Sequence, residues 1–190
     1  MAIFRYSNIF ANSNFPLIAV LCEVKDSRLR KILVFGNSGA GKSTLSKRLS
    51  ADGNLAHLDL DTLAFKKESP TERRDIQESL KEVNAFLEKN DSWVIEGGYA
   101  DIFEQILSHA NEMIYLDLSA ESCQENARNR EWEPHKYESK EAQDKNLDML
   151  INWILDYYSR EDAFSELAHN NLFDQFSGNK KRFTSNQAIT

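Results

Sequence analysis

The chain has 190 residues, which sets one domain with room for a small appendage as the expectation. Apolar residues make up 41% and charged residues 28%, enough to bury a core and too much for a disordered or low-complexity polymer. With 23 Lys and Arg against 30 Asp and Glu the net charge is −7, which argues against direct nucleic-acid binding, and two cysteines, Cys22 and Cys123, exclude a disulfide framework and fit a reducing cytoplasm.

Residues 1–27 read as an N-terminal extension of no assigned function ahead of a domain over 28–190. Its apolar run at 15–22 (FPLIAVLC) is shorter than the roughly 18 residues that a membrane span takes. It lacks the basic start and A-x-A cleavage pattern of an export signal, so no membrane partner is expected. From residue 31 the pattern turns regular. Residues 32–35 (ILVF) read as a strand buried on both faces of a parallel sheet.

GNSGAGKST follows at 36–44 and matches G-x-x-x-x-G-K-[ST], with Gly36, Gly41, Lys42 and Ser43 in the required places. Strand, glycine-rich loop and a helix over 42–49 let successive backbone N–H groups converge on an anion at a helix N-terminus. Gly36, Asn37, Ser38, Gly39, Ala40, Gly41, Lys42, Ser43 and Thr44 are therefore candidate ligands of a nucleotide's phosphates. Lys42 would reach the β and γ phosphates, and the Ser43 hydroxyl would ligate Mg2+.

Residues 55–60 form the second predicted strand, which runs into HLDLDT. Alternation puts His57, Asp59 and Asp61 on one side and Leu58 and Leu60 on the other. Ligands bind beyond the carboxyl ends of such strands. Asp59 is thus expected to hold the metal's water shell and Asp61 to orient the acceptor hydroxyl or take its proton, while His57 reads as structural. Ser69, Pro70 and Glu72 read as the capping box of a helix with Ile76, Leu80, Val83 and Leu87 on its apolar stripe.

A third strand at 93–95 is closed by Glu96, Gly97, Gly98 and Tyr99. The glycines allow close approach to a ligand and Glu96 adds an acid near the metal; the rival reading is a plain turn. A helix over 101–110, a strand over 113–118 (MIYLDL) and a Ser119-capped helix to Arg130 continue the alternation. Strand, turn and helix in repetition argue a parallel α/β sheet with crossover helices.

Arg128 and Arg130 precede a polar stretch at 131–144 that contains Pro134, His135, Lys136 and Lys140. Phosphoryl transfer uses cations that close over the moving group and exclude water, so the segment at approximately 128–146 reads as a mobile basic lid. The two arginines equally suit a helix C-terminus. Leu147, Leu150, Ile151, Ile154, Leu155 and Tyr158 recur at helical spacing. Ser159 with Asp162 suggests the cap of a further helix through Leu172, and 181–184 reads as a polar last strand.

GNSGAGKST, HLDLDT, WVIEGGYAD and ENARNREW, in this order and spacing, resemble the small P-loop kinases that include adenylate and shikimate kinases. Within these they look most like a bacterial group labelled topology modulation or shikimate kinase-like proteins, over about residues 30–183. The resemblance implies a P-loop NTPase fold: an α/β, five-stranded parallel sheet with helices on both faces, an acceptor segment after strand two and a lid after strand four. It implies a cytoplasmic kinase that uses ATP and Mg2+ on a small-molecule acceptor. Lys42, Asp61, Arg128 and Arg130 would be catalytic, Asp61, Gly97, Gly98 and Tyr99 would meet the acceptor, and Ser43, Asp59 and Glu96 would serve the metal.

The chain departs from both patterns. Shikimate kinases carry three consecutive glycines after strand three, and here Tyr99 follows Gly97 and Gly98. The aromatic, Pro and Arg of adenylate kinases are absent. The acceptor stays open between a shikimate-like hydroxyl and a nucleoside monophosphate. Arg73 or Arg74 reads either as a ligand for an anionic acceptor or as an ordinary helix-surface arginine. The alternative function is an ATP-dependent regulatory switch without small-molecule transfer. The N-K-x-D motif of GTPases has no match, since Arg182 stands where NKKR would need Asp.

Overall fold

The computed structural model describes residues 29–66, 69–133 and 138–186. The extension at 1–27, with Cys22, and the lid residues Pro134, His135 and Lys136 lie outside them. Strand β1 (Lys31–Gly36) is buried at every position after the first, as its unbroken apolar run requires. Four more strands lie parallel to it: β2 (Ala56–Asp59), β5 (Trp93–Gly97), β6 (Glu112–Leu116) and β7 (Asn179–Phe183). The order β2-β5-β1-β6-β7 puts β1 at the centre of the sheet.

Alternation along the three central strands splits the core in two. Leu33, Phe35, Trp93, Ile95, Met113 and Tyr115 face one way. They pack against α3 (Ile76–Lys89), α4 (Ala100–Ile106) and α8 (Glu166–Gln175), with Phe35 stacked on Tyr115 at 4.9 Å between ring centres. Ile32, Val34, Val94, Ile114 and Leu116 face the other way, onto α1 (Lys42–Gly53), α5 (Ala120–Arg128) and α7 (Leu147–Asp156). A sheet sealed on both faces exposes only its strand ends, and there a ligand can reach it. The edge strand β7 is polar and exposed, which suits a sheet margin.

Several sequence expectations change. The helix expected to open at Ser69 begins at Ile76, capped by the Asp75 side chain, which accepts from the Gln77 N–H at 2.7 Å. Residues Ser69–Arg73 instead form β4, which pairs antiparallel with β3 (Phe65–Lys66). The residue before a proline is pushed toward extended backbone, and the hairpin uses that bias. Asp61 does not continue β2; it opens a four-residue helix, α2 (Asp61–Ala64). Strand alternation therefore does not place its side chain.

Within the segment expected to form the lid, α6 (Lys140–Lys145) is a helical turn and a half capped by Ser139. The last helix starts at Glu166 with Ser165 as its cap, not at Ser159. Asp162 accepts from Phe164 N–H in the preceding turn. Helix α4 ends at Ile106 in a single 3-10 turn, Leu107–His109.

Candidate functional site

Two left-handed glycines shape the loop between β1 and α1. Gly39 (φ +76) lies so close to α5 that a Cβ would sit 2.3 Å from the Cys123 carbonyl oxygen. Gly41 (φ +87) has the same left-handed bend but open space around it. Gly41 is also the N-cap of α1 and offers no side-chain acceptor, whereas α3, α5, α6 and α8 are each capped by an Asp or Ser side chain. The first N–H groups of α1 thus have no side-chain cap, the arrangement that takes an anion.

Side chains of the loop divide by role. Asn37 and Ala40 are buried and serve the fold: Asn37 Nδ2 donates to the Ile154 carbonyl of α7 at 3.0 Å, and its Oδ1 accepts from Ser38 N–H at 2.7 Å. Lys42 Nζ donates to the Asn37 carbonyl at 2.9 Å, folded back over the loop. Burial lowers the Lys42 pKa, opposed by the negative charges of Glu96 and Asp61. Ser43 is half-buried and Thr44 exposed at the helix start.

The acids gather at the same end of the sheet. Asp59 closes β2 beside Glu96 of β5, its register partner. Asp59 Oδ1 accepts from the Asp61 N–H at 2.9 Å, and Asp61 Oδ1 accepts from the Tyr99 hydroxyl at 2.7 Å. Tyr99 is 3% exposed, so it orients Asp61 and does not itself offer a surface. Burial, then the Asp61 charge, drives its pKa far up, and it stays a donor. Glu96 is buried, its Oε1 3.6 Å from His57 Nε2, and neither atom has a hydrogen-bond partner among the described residues.

These residues fit Mg2+ in the mode where phosphates supply most of the coordination. Among the described residues no three His, Cys, Asp or Glu side chains close on one point. Ser43 and Asp59 could hold a largely hydrated ion, with Glu96 behind them.

The lid arginines are not brought together. Arg128 is exposed at the last position of α5. Arg130 pairs with Glu133 at 3.0 Å and is near enough to Lys42 to lower its pKa.

A second cluster, of arginines and aromatic rings, was signalled in the sequence only through Arg73. Gly98 follows β5, and a methyl on it would lie 3.7 Å from the Gly36 carbonyl oxygen and 3.9 Å from the Phe164 ring. The Phe164 ring carries two guanidinium groups, Arg73 at 5.0 Å and Arg160 at 5.3 Å from its centre. Arg160 also lies 3.7 Å over Trp153, and Arg73 lies 5.4 Å over Tyr99. Each has one carboxylate partner, Asp101 for Arg73 and Asp162 for Arg160. Yet Arg73 Nε and Arg160 Nε and Nη1 are buried with no acceptor among the described residues. Arg74 is instead occupied by Glu82, Glu78 and the Leu63 carbonyl. No spacing rule could connect residues 73, 99, 160 and 164.

A glycine-bent loop, fed by the central strand of a five-stranded parallel sheet and ending in an uncapped helix, defines a small P-loop NTPase with a kinase-like fold. The chain belongs to the AAA domain family, whose model matches residues 32–146. It is 28% identical over 104 residues to the Bacillus subtilis protein YqaC, an alignment that takes in 55% of this chain and spans 58% of that relative's length. Among solved structures, a Janibacter sugar kinase matches with a TM-score of 0.50 at 12% identity, covering 85% of this chain and 90% of the other. A shikimate kinase from Bacteroides thetaiotaomicron matches with a TM-score of 0.49 at 14% identity, covering 85% and 93%. No helix among the described residues is long and apolar enough to cross a membrane.

Proposed function

We propose that this protein moves the γ-phosphoryl group of ATP to a small acceptor that carries an anionic group beside its hydroxyl or phosphate. The observation that carries the reading is the place of Asp61. Its charge acts on Lys42 at the phosphate loop, and the tyrosine it bonds lies under Arg73 of the guanidinium cluster. A carboxylate between an anion-binding loop and a second cationic site suits transfer between two anions held face to face.

In this reading the loop N–H groups and Lys42 hold the β and γ phosphates. Bound Mg2+ would neutralise the phosphates' charge. Asp61, set by Tyr99 and its own backbone bond to Asp59, accepts the acceptor's proton as the new oxygen–phosphorus bond forms and the bond to the leaving ADP breaks. Arg73 and Arg160 give their unpartnered N–H groups to the acceptor's carboxylate or phosphate, and the aromatic walls keep water out.

Phosphorus NMR of Mg·ATP with a panel of acceptors tests this: shikimate, gluconate and nucleoside monophosphates, each beside a neutral analogue. The expected result is a new phosphate ester or anhydride with an anionic acceptor and none with its neutral analogue. Tight ATP binding with no transfer to any of them would favour the regulatory reading.

A further inference from the structure

Packing alone does not account for His169. It is fully buried on α8 and uses both ring nitrogens: Nε2 lies 3.0 Å from the Gly98 carbonyl oxygen and Nδ1 lies 2.9 Å from the Tyr157 hydroxyl. Tyr157 in turn lies 2.9 Å from the Tyr115 hydroxyl. A carbonyl oxygen only accepts, so Nε2 carries the proton. Burial holds the imidazole pKa down to about 4, so the ring is neutral and Nδ1 must accept. The single Tyr157 proton then goes to Nδ1. Proton counting fixes the direction from Tyr157 through His169 to Gly98, with the Tyr115 hydroxyl beside Tyr157 at the other end.

The far end of this chain is the acceptor-side turn. The peptide joining Gly98 and Tyr99 is trans, so the Gly98 carbonyl and the Tyr99 N–H point in opposite directions. Holding the carbonyl against α8 turns the Tyr99 N–H away from it, and that N–H has no acceptor among the described residues. Tyr99 is also the residue that fixes Asp61. The near end leads to the phosphate loop. Three residues before Tyr157, the Ile154 carbonyl of α7 accepts from Asn37, whose own carbonyl accepts from Lys42. Ile154 and Tyr157 are both buried and one helical turn apart, so they share a face.

We propose that His169 is a positioning residue whose fixed tautomer holds the peptide between Gly98 and Tyr99, and with it Asp61, in register with the phosphate loop through α7. The functional meaning of the two loops rests on the proposed phosphoryl transfer; the tautomer and its bond to Gly98 do not.

The test is NMR on the full chain. Long-range proton–nitrogen spectra of wild type should show His169 as the Nε2–H tautomer, with no protonation between about pH 5 and 8. Saturation with Mg·AMP-PNP, a non-hydrolysable ATP analogue, should then move the Gly98 and Tyr99 amide resonances. In Tyr157→Phe that movement should shrink by about half or more, while affinity for the analogue changes less than about threefold. His169→Gln, whose amide can donate to Gly98 and accept from Tyr157, should keep more of it than His169→Leu.

An Nδ1–H tautomer, protonation near the ordinary histidine value, or equal movement in wild type and Tyr157→Phe would overturn the proposal. If Mg·AMP-PNP does not bind wild type, the nucleotide reading fails separately. The tautomer spectrum then decides whether His169 positions Gly98.

Discussion

Arg160 holds two buried nitrogens that have no acceptor among the described residues, a cost that an anionic ligand would relieve. Arg160→Met should therefore raise the KM for the acceptor by about tenfold or more, with stability within about 1 kcal/mol of wild type because a desolvated charge is removed along with its stacking. Steady-state kinetics and thermal melts check both parts. Asp61→Asn should lower kcat by roughly 10²–10⁴-fold and leave Mg·ATP affinity almost unchanged, since the Tyr99 hydroxyl still finds an amide oxygen to bond. Equal loss of binding and turnover would mean that Asp61 serves the nucleotide. The phosphate-loop residues were readable from the sequence because Gly36, Gly41, Lys42 and Ser43 work through local spacing. Arg160, Phe164 and His169 were not, because they reach Gly98 and Arg73 only through tertiary folding.

Among the elements, α1 depends on a loop that tolerates no side chain where it passes α5. Gly39→Ala combines a left-handed φ with a Cβ 2.3 Å from the Cys123 carbonyl oxygen, so it should destabilise the fold by about 1–3 kcal/mol. Chemical unfolding of the variant measures this. Strands β1, β5 and β6 and the helices after them were legible because burial on both sheet faces forces continuous apolar runs. The hairpin of β3 and β4 was not, since two residues paired with a Pro-containing strand carry no periodic signal. That miss mattered, because the hairpin puts Arg73 beside Tyr99 and leaves the helix to start at the better cap, Asp75. Arg128 and Arg130 looked alike in sequence, yet one ends exposed and the other is paired with Glu133.

Across the whole molecule, α7 and α8 join the two halves of the site, and the buried His169 makes that junction sensitive to acid. Burial is the largest cause of its lowered pKa, the Lys42 charge adds to it, and the bond to Gly98 opposes it. The unfolded chain takes up this proton first, near the ordinary histidine pKa of about 6.5. The stabilising contribution is therefore complete above that pH and is lost as pH falls toward about 4, by an amount on the order of 3 kcal/mol. His169→Gln should lack this part of the pH dependence when the two proteins are unfolded in urea across that window; parallel curves would contradict the assignment.

The phosphate loop itself is tested most directly by calorimetric titration of the full chain with Mg·ATP and, separately, with adenosine. If the amides of α1 and Lys42 grip the triphosphate, Mg·ATP should bind saturably and adenosine far more weakly. Lys42→Ala should then lose about tenfold or more in Mg·ATP affinity with its fold intact. Equal affinity for adenosine and Mg·ATP, or a Lys42→Ala protein that binds Mg·ATP as tightly as wild type, would contradict it.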